Sequence, residues 1–213
     1  MDLINELAEN YATVYSSPES ELLQRINRET YATHAQPHML SGHVQGRILS
    51  LFSKMKQPKY ILEIGTFTGY SALCLAEGLQ VDGELHTIEL REEDALFSQK
   101  NFDRSIYKNK IHLHNGNALE ILPTLNYKWD LVFIDADKNN YINYYELVIN
   151  KLNDNGIILA DNVLFHGQVL EEKIKGKNAV AMDAFNKHVA GDERTEQVML
   201  TVRDGLLLIK KKK

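Results

Sequence analysis

The chain alternates between short runs typical of buried strands and longer segments in which apolar residues recur every three or four positions. The strand-like runs are residues 59–64, 84–88, 110–114, 131–134 and 156–160. The helical pattern covers residues 41–56, 70–79, 92–105, 118–125 and 139–152. This strict alternation predicts parallel strands joined by right-handed crossovers, with helices on both faces of one sheet.

The N-terminal segment departs from this alternation. Residues 2–30 predict two short helices, the second with Ser17 as its N-terminal cap and Pro18 at its first position. Residues 31–40 are irregular and rich in histidine, tyrosine and methionine. We interpret them either as a plain connector or as a lid over a ligand site.

The C-terminal segment ends in a hairpin pattern. Apolar runs at residues 197–202 and 206–209 are joined across Arg203-Asp204-Gly205, which requires one antiparallel strand. The chain shows no internal repeat and no linker. Residues 1–213 are therefore predicted to form one doubly wound α/β domain with a mostly parallel sheet.

The composition is that of an ordinary globular protein of 213 residues, with 44% hydrophobic and 25% charged residues. A net charge of −5 argues against a surface that coats nucleic acid. The single cysteine, Cys74, excludes an intrachain disulfide framework and is predicted to be a buried small side chain. The N-terminus lacks the apolar stretch of a signal peptide, and no apolar run approaches the roughly 18 residues that span a bilayer. We expect a cytoplasmic protein without membrane contact.

Polar and charged side chains follow closely after the fourth and fifth predicted strands. Asp135 and Lys138 come after one of them, and Asp161 and Asn162 after the other. Ligands of open α/β sheets bind beyond the carboxyl ends of the strands. If these two strands are neighbours, the three oxygen-bearing side chains suit a hard cation such as Mg²⁺, with Lys138 beside them as a general base. The alternative is that the two aspartates merely cap the helices that follow.

A glycine-bearing turn, Gly65 to Gly69, follows the first predicted strand. Glycine tolerates positive φ and lets the backbone approach a ligand closely. The spacing differs from the G-x-G-x-x-G that binds a dinucleotide pyrophosphate. Glu63, just before the turn, suits a ligand with a positive centre and an ammonium group. Glu89, at the end of the second strand, is placed to accept both hydroxyls of a ribose, unless it is only a helix cap or a solvated charge.

The eight histidines show no helical metal-ligand spacing such as H-x-x-x-H. We therefore expect most of them, including His86, His112 and His114, to be surface residues or hydrogen-bonded core residues. His38 and His166 stand apart, because both lie in loops expected to border the strand ends.

Four motifs together resemble one enzyme family. They are ILEIGTFTGYSA, LHTIEL, DLVFIDADKNNY and ILADNVLFHG, within a match that runs from about residue 36 to the C-terminus. In this order and spacing they resemble the cation-dependent class I O-methyltransferases, which include plant caffeoyl-CoA and animal catechol enzymes and many bacterial relatives. The resemblance implies a seven-stranded Rossmann-like sheet whose last strand pair is antiparallel. It also implies S-adenosylmethionine as the methyl donor, Mg²⁺ or another divalent cation such as Mn²⁺ or Ca²⁺, and a homodimer.

The resemblance assigns roles to individual residues. Those that would line the methyl donor are Met39, Ser41, Glu63, Gly65, Phe67, Ser71, Glu89, Gly116, Asn117, Ala118 and Asp135. Those that would hold the cation are Asp135, Asp161 and Asn162. Lys138 would be the catalytic base, and residues 1–40 would supply N-terminal helices and a loop on the substrate side.

The expected reaction moves a methyl group from S-adenosylmethionine to one hydroxyl of a catechol-like small molecule. One alternative is methylation of a hydroxylated uridine in tRNA by the same cation and lysine. It requires a basic surface, to which Lys173, Lys175, Lys177 and Lys187 could contribute. An alternative of another class is an NAD-linked oxidoreductase, which the missing G-x-G-x-x-G counts against.

Overall fold

The central feature of the computed structural model, which describes residues 5–212, is a seven-stranded sheet between two layers of helices. The strands of these residues are β1 (Tyr60–Ile64), β2 (Glu84–Glu89), β3 (Ile111–Asn115), β4 (Trp129–Ile134), β5 (Leu152–Asp161), β6 (Thr195–Leu200) and β7 (Leu206–Lys211). The α-helices are α1 (Glu6–Tyr15), α2 (Glu21–Thr33), α3 (His43–Lys56), α4 (Tyr70–Ala76), α5 (Glu92–Asp103), α6 (Ala118–Ile121), α7 (Tyr141–Ile149) and α8 (Lys177–Ala190). No helix in residues 5–212 is long and apolar enough to cross a membrane.

The strand order is β3-β2-β1-β4-β5-β7-β6, and β7 runs in the opposite direction to the other six strands of the described sheet. The predicted doubly wound fold with one antiparallel strand from a C-terminal hairpin is therefore confirmed. The chain winds outward from β1 through β2 to β3, and then returns to β4 on the other side of β1. This reversal opens a crevice at the carboxyl ends of β1 and β4, where open α/β sheets bind their ligands.

The sheet separates two hydrophobic cores, and β4 contributes to both. Val132 and Ile134 pack on one side with α7 and α8, whereas Leu131 and Phe133 pack on the other side with α3 and α4. All four side chains are fully buried. A strand that alternates between two apolar layers reads as an unbroken apolar run, which confirms the prediction of a central strand.

The second helix begins later than predicted. It starts at Glu21, and Ser20 caps it by accepting a hydrogen bond from the Leu23 N–H at 3.3 Å. The assignment of Ser17 and Pro18 to this helix start was therefore wrong. A serine three residues before a free first-turn N–H is the usual cap, and Ser20 has that position.

Two other differences concern the second half of the chain. β5 is longer than predicted, and its pairing with β4 shifts register so that Leu152 lies opposite Trp129 and Ile157 opposite Leu131. Residues 152–155, which precede the predicted strand, therefore belong to an irregular part of β5. Helix α8 was not predicted, although its buried residues follow helical spacing; they are Ala179, Met182, Phe185 and Val189.

Candidate functional site

A cavity of about 470 Å³ lies at the carboxyl ends of the central strands. Its volume is within the range of roughly 300–1,000 Å³ that small-molecule sites occupy. The predicted site residues that line it are Met39, Ser41, Gly65, Phe67, Ser71, Glu89, Gly116, Asn117, Ala118, Asp135, Lys138, Asp161 and Asn162. His38 and His166 line it too, so their loops border the strand ends as expected.

Lys138 connects the ends of β4 and β5. Its Nζ donates to Asp135 Oδ1 at 2.9 Å and to Asn162 Oδ1 at 2.7 Å, and it lies 2.8 Å from the hydroxyl oxygen of Tyr141. All three ammonium protons thus have acceptors. Burial alone would lower the pKa of Lys138, but Tyr141 and Asp135 outweigh it and raise that pKa above its usual value. With these neighbours the side chain is an ammonium ion at neutral pH.

Asp161 is almost fully buried at the end of β5. Its two carboxylate oxygens accept hydrogen bonds from Gln45 Nε2 at 2.6 Å and from the Asn162 N–H at 2.8 Å. Burial raises the pKa of this carboxyl, and the negative charge of Asp135 adds to the effect. A buried carboxylate beside a second carboxylate is a position that a cation stabilises.

Asn162 turns its amide oxygen toward Lys138 because its own backbone and Asp204 hold it there. The residue has φ of 58°, a left-handed conformation that asparagine adopts more readily than most residues. Its Nδ2 donates to Asp204 Oδ2 at 3.3 Å, which leaves Oδ1 facing the cavity. The β6–β7 turn therefore orients one of the predicted cation ligands.

The capping alternative for the two aspartates does not describe their contacts. Within residues 5–212, the Asp135 carboxylate bonds Lys138, and the Asp161 carboxylate bonds Gln45 and the next backbone N–H. Among the described residues, neither α7, which follows Asp135, nor the 3₁₀ helix Phe165–Leu170, which follows Asp161, has a side-chain cap.

The glycine turn brings β1 against β4. Gly65 has φ of 98°, and a Cβ atom at this position would lie 1.9 Å from the Asp135 carbonyl oxygen. Only glycine permits this approach. The Thr66 and Phe67 N–H groups of the same turn donate to Glu89 Oε2 at 3.2 and 2.8 Å. Glu89 thus fixes the turn and also lines the cavity, where its remaining lone pairs can receive hydroxyl donors.

Glu63 lies beneath the turn and not on the cavity wall. It is fully buried, and its Oε2 accepts a hydrogen bond from the Thr87 hydroxyl at 2.5 Å. Its Oε1 has no hydrogen-bond partner within residues 5–212. Burial raises the pKa of Glu63 to about 8. A positive charge placed near this oxygen would lower that pKa and favour the carboxylate.

The wall that follows β3 is built by the Gly116–Ala118 segment. The Gly116 N–H donates to the Glu89 carbonyl at 2.9 Å, which joins the ends of β2 and β3. The Asn117 side chain caps α6 through the Leu119 N–H at 3.0 Å. Both contacts hold the backbone of this segment against the cavity.

The sequence did not indicate two polar residues that shape this site. Gln45 lies on the buried face of α3, and Arg203 lies in the β6–β7 turn. Arg203 Nη1 donates to Gln45 Oε1 at 3.1 Å, to the Leu40 carbonyl at 3.1 Å, and to the Ser41 carbonyl. The buried face of α3 also contains Ser50 and Ser53, so Gln45 did not interrupt an apolar pattern and the sequence carried no signal for it.

Comparison with known proteins identifies the family. The model of the O-methyltransferase family matches residues 13–212. A catechol O-methyltransferase from Niastella koreensis is 33% identical over 160 residues, which cover 73% of this chain and 72% of that protein. Caffeoyl-CoA O-methyltransferase 2 of Petunia hybrida is 30% identical over 197 residues, which cover 86% of this chain and 81% of that protein.

A solved structure agrees over a larger part of the chain. The crystal structure of an SAH-bound Podospora anserina methyltransferase has a TM-score of 0.90 and 28% identity, and the match covers 99% of this chain and 97% of that one. The four motifs described above contain the carboxyl ends of β1, β2, β4 and β5, where the cavity lies. The family match covers nearly the whole chain, and this protein therefore belongs to the O-methyltransferase family, with caffeoyl-CoA and catechol enzymes among its relatives.

Proposed function

We propose that the protein transfers a methyl group from S-adenosylmethionine to one hydroxyl of a catechol-like small molecule, with a divalent cation bound beside Lys138. The observation that carries this proposal is the convergence of Asp135, Asn162 and Lys138 at one end of a cavity whose other walls are the glycine turn and Glu89. The Podospora anserina relative is named as SAH-bound, and SAH is what remains of the donor after methyl transfer.

The donor would lie across the carboxyl ends of β1, β2 and β3. Glu89 would accept the ribose hydroxyls, and the Gly116–Ala118 segment would border the adenine. The unpaired Oε1 of Glu63 beneath the turn would attract the positively charged methionine end of the donor. The resemblance supports all of these roles, and the placement of Glu89 and of the Gly116–Ala118 segment around one cavity supports the first two.

The residues present fit a hard divalent cation. Asp135 and Asp161 supply carboxylates and Asn162 supplies an amide oxygen, which are the ligands that Mg²⁺, Mn²⁺ and Ca²⁺ prefer. The Lys138 ammonium already lies within hydrogen-bond distance of two of these three residues, so their oxygens surround a position where positive charge is favourable. A cation bound there would hold two neighbouring substrate oxygens and lower the pKa of a hydroxyl.

Lys138 would accept the proton of the attacking hydroxyl at Nζ. This requires the neutral amine, whereas its neighbours in the structure keep it charged. Additional positive charge among the same oxygens disfavours the ammonium and supports its release of a proton. The hydroxyl oxygen then forms a bond to the methyl carbon, the carbon–sulfur bond breaks, and the sulfur keeps the electron pair. Most of the acceleration would come from orientation, which can contribute roughly 7–11 kcal/mol.

The test is product formation from catechol and from caffeoyl-CoA, each with and without Mg²⁺ and with a chelator. We expect methylated product with the cation and none after chelation. Lys138→Met should lower kcat with little effect on donor binding. Lys187→Met is the control, because Lys187 is an exposed lysine that pairs with Asp183. Turnover that is unaffected by chelation would contradict a role for the cation. Equal kcat in the Lys138 and Lys187 variants would contradict the role of Lys138 as the base.

The tRNA and NAD alternatives gain no support from the family match. A screen that includes hydroxylated tRNA and NAD separates them from the proposed reaction, since tRNA binding through phosphates weakens steeply with salt. The homodimer and the cytoplasmic location stay predictions; sedimentation of the purified protein tests the first and microscopy of a tagged chain tests the second.

A further inference from the structure

A cluster of histidine and glutamate side chains lies on one face of the neighbouring strands β2 and β3. Glu84 and His86 alternate along β2, and His112 and His114 alternate along β3, so all four point to the same side of the sheet. His86 lies directly opposite His112 in the parallel register. None of these four side chains lines the cavity at the carboxyl ends of the strands. The cluster is therefore separate from the cavity.

The ligating atoms of three of these side chains converge. Glu84 Oε2 lies 3.4 Å from His86 Nε2 and 3.8 Å from His112 Nε2. The three side chains form the one group of at least three His, Cys, Asp or Glu residues in the described chain whose ligand atoms lie within 4.8 Å of one another. Ligands about 2.0–2.1 Å from a tetrahedral Zn²⁺ are roughly 3.4 Å apart. The two separations from Glu84 Oε2 are within about 0.4 Å of this value.

His114 holds His86 in the orientation that ligation needs. His86 Nδ1 lies 3.0 Å from His114 Nε2, and the tautomer with a proton on Nδ1 donates there and leaves the Nε2 lone pair facing Glu84. A ligating histidine commonly donates its second ring N–H to a neighbour that fixes the ring.

We propose that Glu84, His86 and His112 bind a zinc ion at this edge of the sheet. Two imidazoles and a carboxylate suit Zn²⁺, whereas the cluster near Lys138 offers the oxygen ligands that harder cations prefer. The side chains of His112 and Glu84 are 45% and 38% exposed, which leaves a fourth coordination position open to water. β3 is the edge strand, and the ion would fasten it to β2. Zinc would therefore stabilise the folded chain as its site fills.

Calorimetric titration of the full chain with Zn²⁺ tests the site, using the unaltered protein, His112→Gln and Glu84→Gln. All three proteins keep the proposed cation ligands near Lys138, which are Asp135, Asp161 and Asn162. The difference between their titrations therefore reports only on the site at β2 and β3. Each substitution should weaken zinc binding at this site by at least about 100-fold. His114→Gln removes only the orienting partner and should weaken it by roughly 10–100-fold.

His188→Gln is the matched control. His188 Nε2 lies 2.7 Å from Glu146 Oε1, and this exposed histidine–glutamate pair is joined by Arg194 in place of a second histidine. The control should bind zinc as the unaltered protein does. The ring-nitrogen NMR signals of His86 and His112 should shift on addition of zinc to the unaltered protein, which tests the site without any substitution. Titrations of His112→Gln and Glu84→Gln that coincide with the unaltered one, or ring signals that do not move, overturn the proposal.

Discussion

Replacement of Tyr141 by phenylalanine tests how Lys138 is held in place. The Tyr141 side chain is fully buried, and its hydroxyl oxygen accepts a hydrogen bond from Lys138 Nζ at 2.8 Å. Its O–H faces the carbonyl oxygens of Asp161 at 3.0 Å and Ile134 at 3.2 Å. Phenylalanine fills the same space, so the substitution removes the hydrogen bonds without opening a cavity.

The expected magnitude follows from these contacts. A hydrogen bond to a charged group contributes about 1.5–3 kcal/mol to stability, and a neutral bond to a carbonyl contributes about 0.5–1.5 kcal/mol. We therefore expect Tyr141→Phe to lower the free energy of unfolding by about 2–4.5 kcal/mol. Because Lys138 also loses one of its three acceptors, kcat should fall by roughly 10–100-fold, with the KM for the methyl donor nearly unchanged; a factor of ten corresponds to about 1.4 kcal/mol.

Tyr145→Phe is the matched control for this change. Tyr145 lies on the same helix and is equally buried, but its hydroxyl donates to Asp192 Oδ2 at 2.7 Å. Urea unfolding of both variants measures stability, and steady-state kinetics with catechol measures kcat and KM. Both variants should lose stability, and only Tyr141→Phe should lose kcat. Equal kcat in the two variants would refute a positioning role for Tyr141.

Three further predictions concern the strand ends. Asp161→Ala should abolish the stimulation of turnover by Mg²⁺, with a loss of at least about 100-fold in initial rate measured against cation concentration. Gly65→Ala should destabilise the fold by on the order of 3 kcal/mol or more, because its Cβ would meet the Asp135 carbonyl at 1.9 Å; Gly191→Ala, with a nearest contact of 3.4 Å, should change the melting temperature little. The pKa of Glu63 rises from 4.5 to about 8 on folding, so the folded state keeps a proton that the unfolded state releases between these values. Stability should then fall as pH rises through that window, by about 1.4 kcal/mol per pKa unit at most, and Glu63→Gln should flatten this fall in melts recorded from pH 4 to 9.

The strand-end rule explains why much of the site could be predicted. Parallel strands deliver the residues that follow them to one edge of the sheet, so Asp135 and Asp161 meet once β4 and β5 are neighbours. The unbroken apolar run before Asp135 indicated a strand buried on both faces, and β4 is buried on both faces. The prediction from the sequence agrees with the structure for these residues, because the direction of a strand determines on which side of the sheet the next residues lie.

Contacts that depend on register or on distant segments could not be predicted in this way. Gln45 reaches Asp161 across 116 positions of sequence, and nothing in the local pattern of α3 indicates that partner. The proposed zinc site requires His86 to lie opposite His112, and this depends on the register between β2 and β3. Glu63 was expected beside the ligand because of its place in the sequence. Strand alternation directs its side chain to the buried layer beneath the turn.

The antiparallel strand has a consequence for the site that its parallel neighbours could not supply. Because β7 runs opposite to β5, the turn that precedes it lies at the carboxyl end of β5, beside Asp161 and Asn162. In that turn, Arg203 donates to Gln45 and to the carbonyl oxygens of Leu40 and Ser41, which belong to the N-terminal loop before α3. Asp204, in the same turn, orients the Asn162 amide. If the last strand were parallel to β5, this turn would lie at the amino end of β5, away from Asp161 and Asn162. The C-terminal hairpin thus joins the N-terminal loop to the proposed cation ligands, and substitution of Arg203 should disturb both the loop and the Asp161 carboxylate.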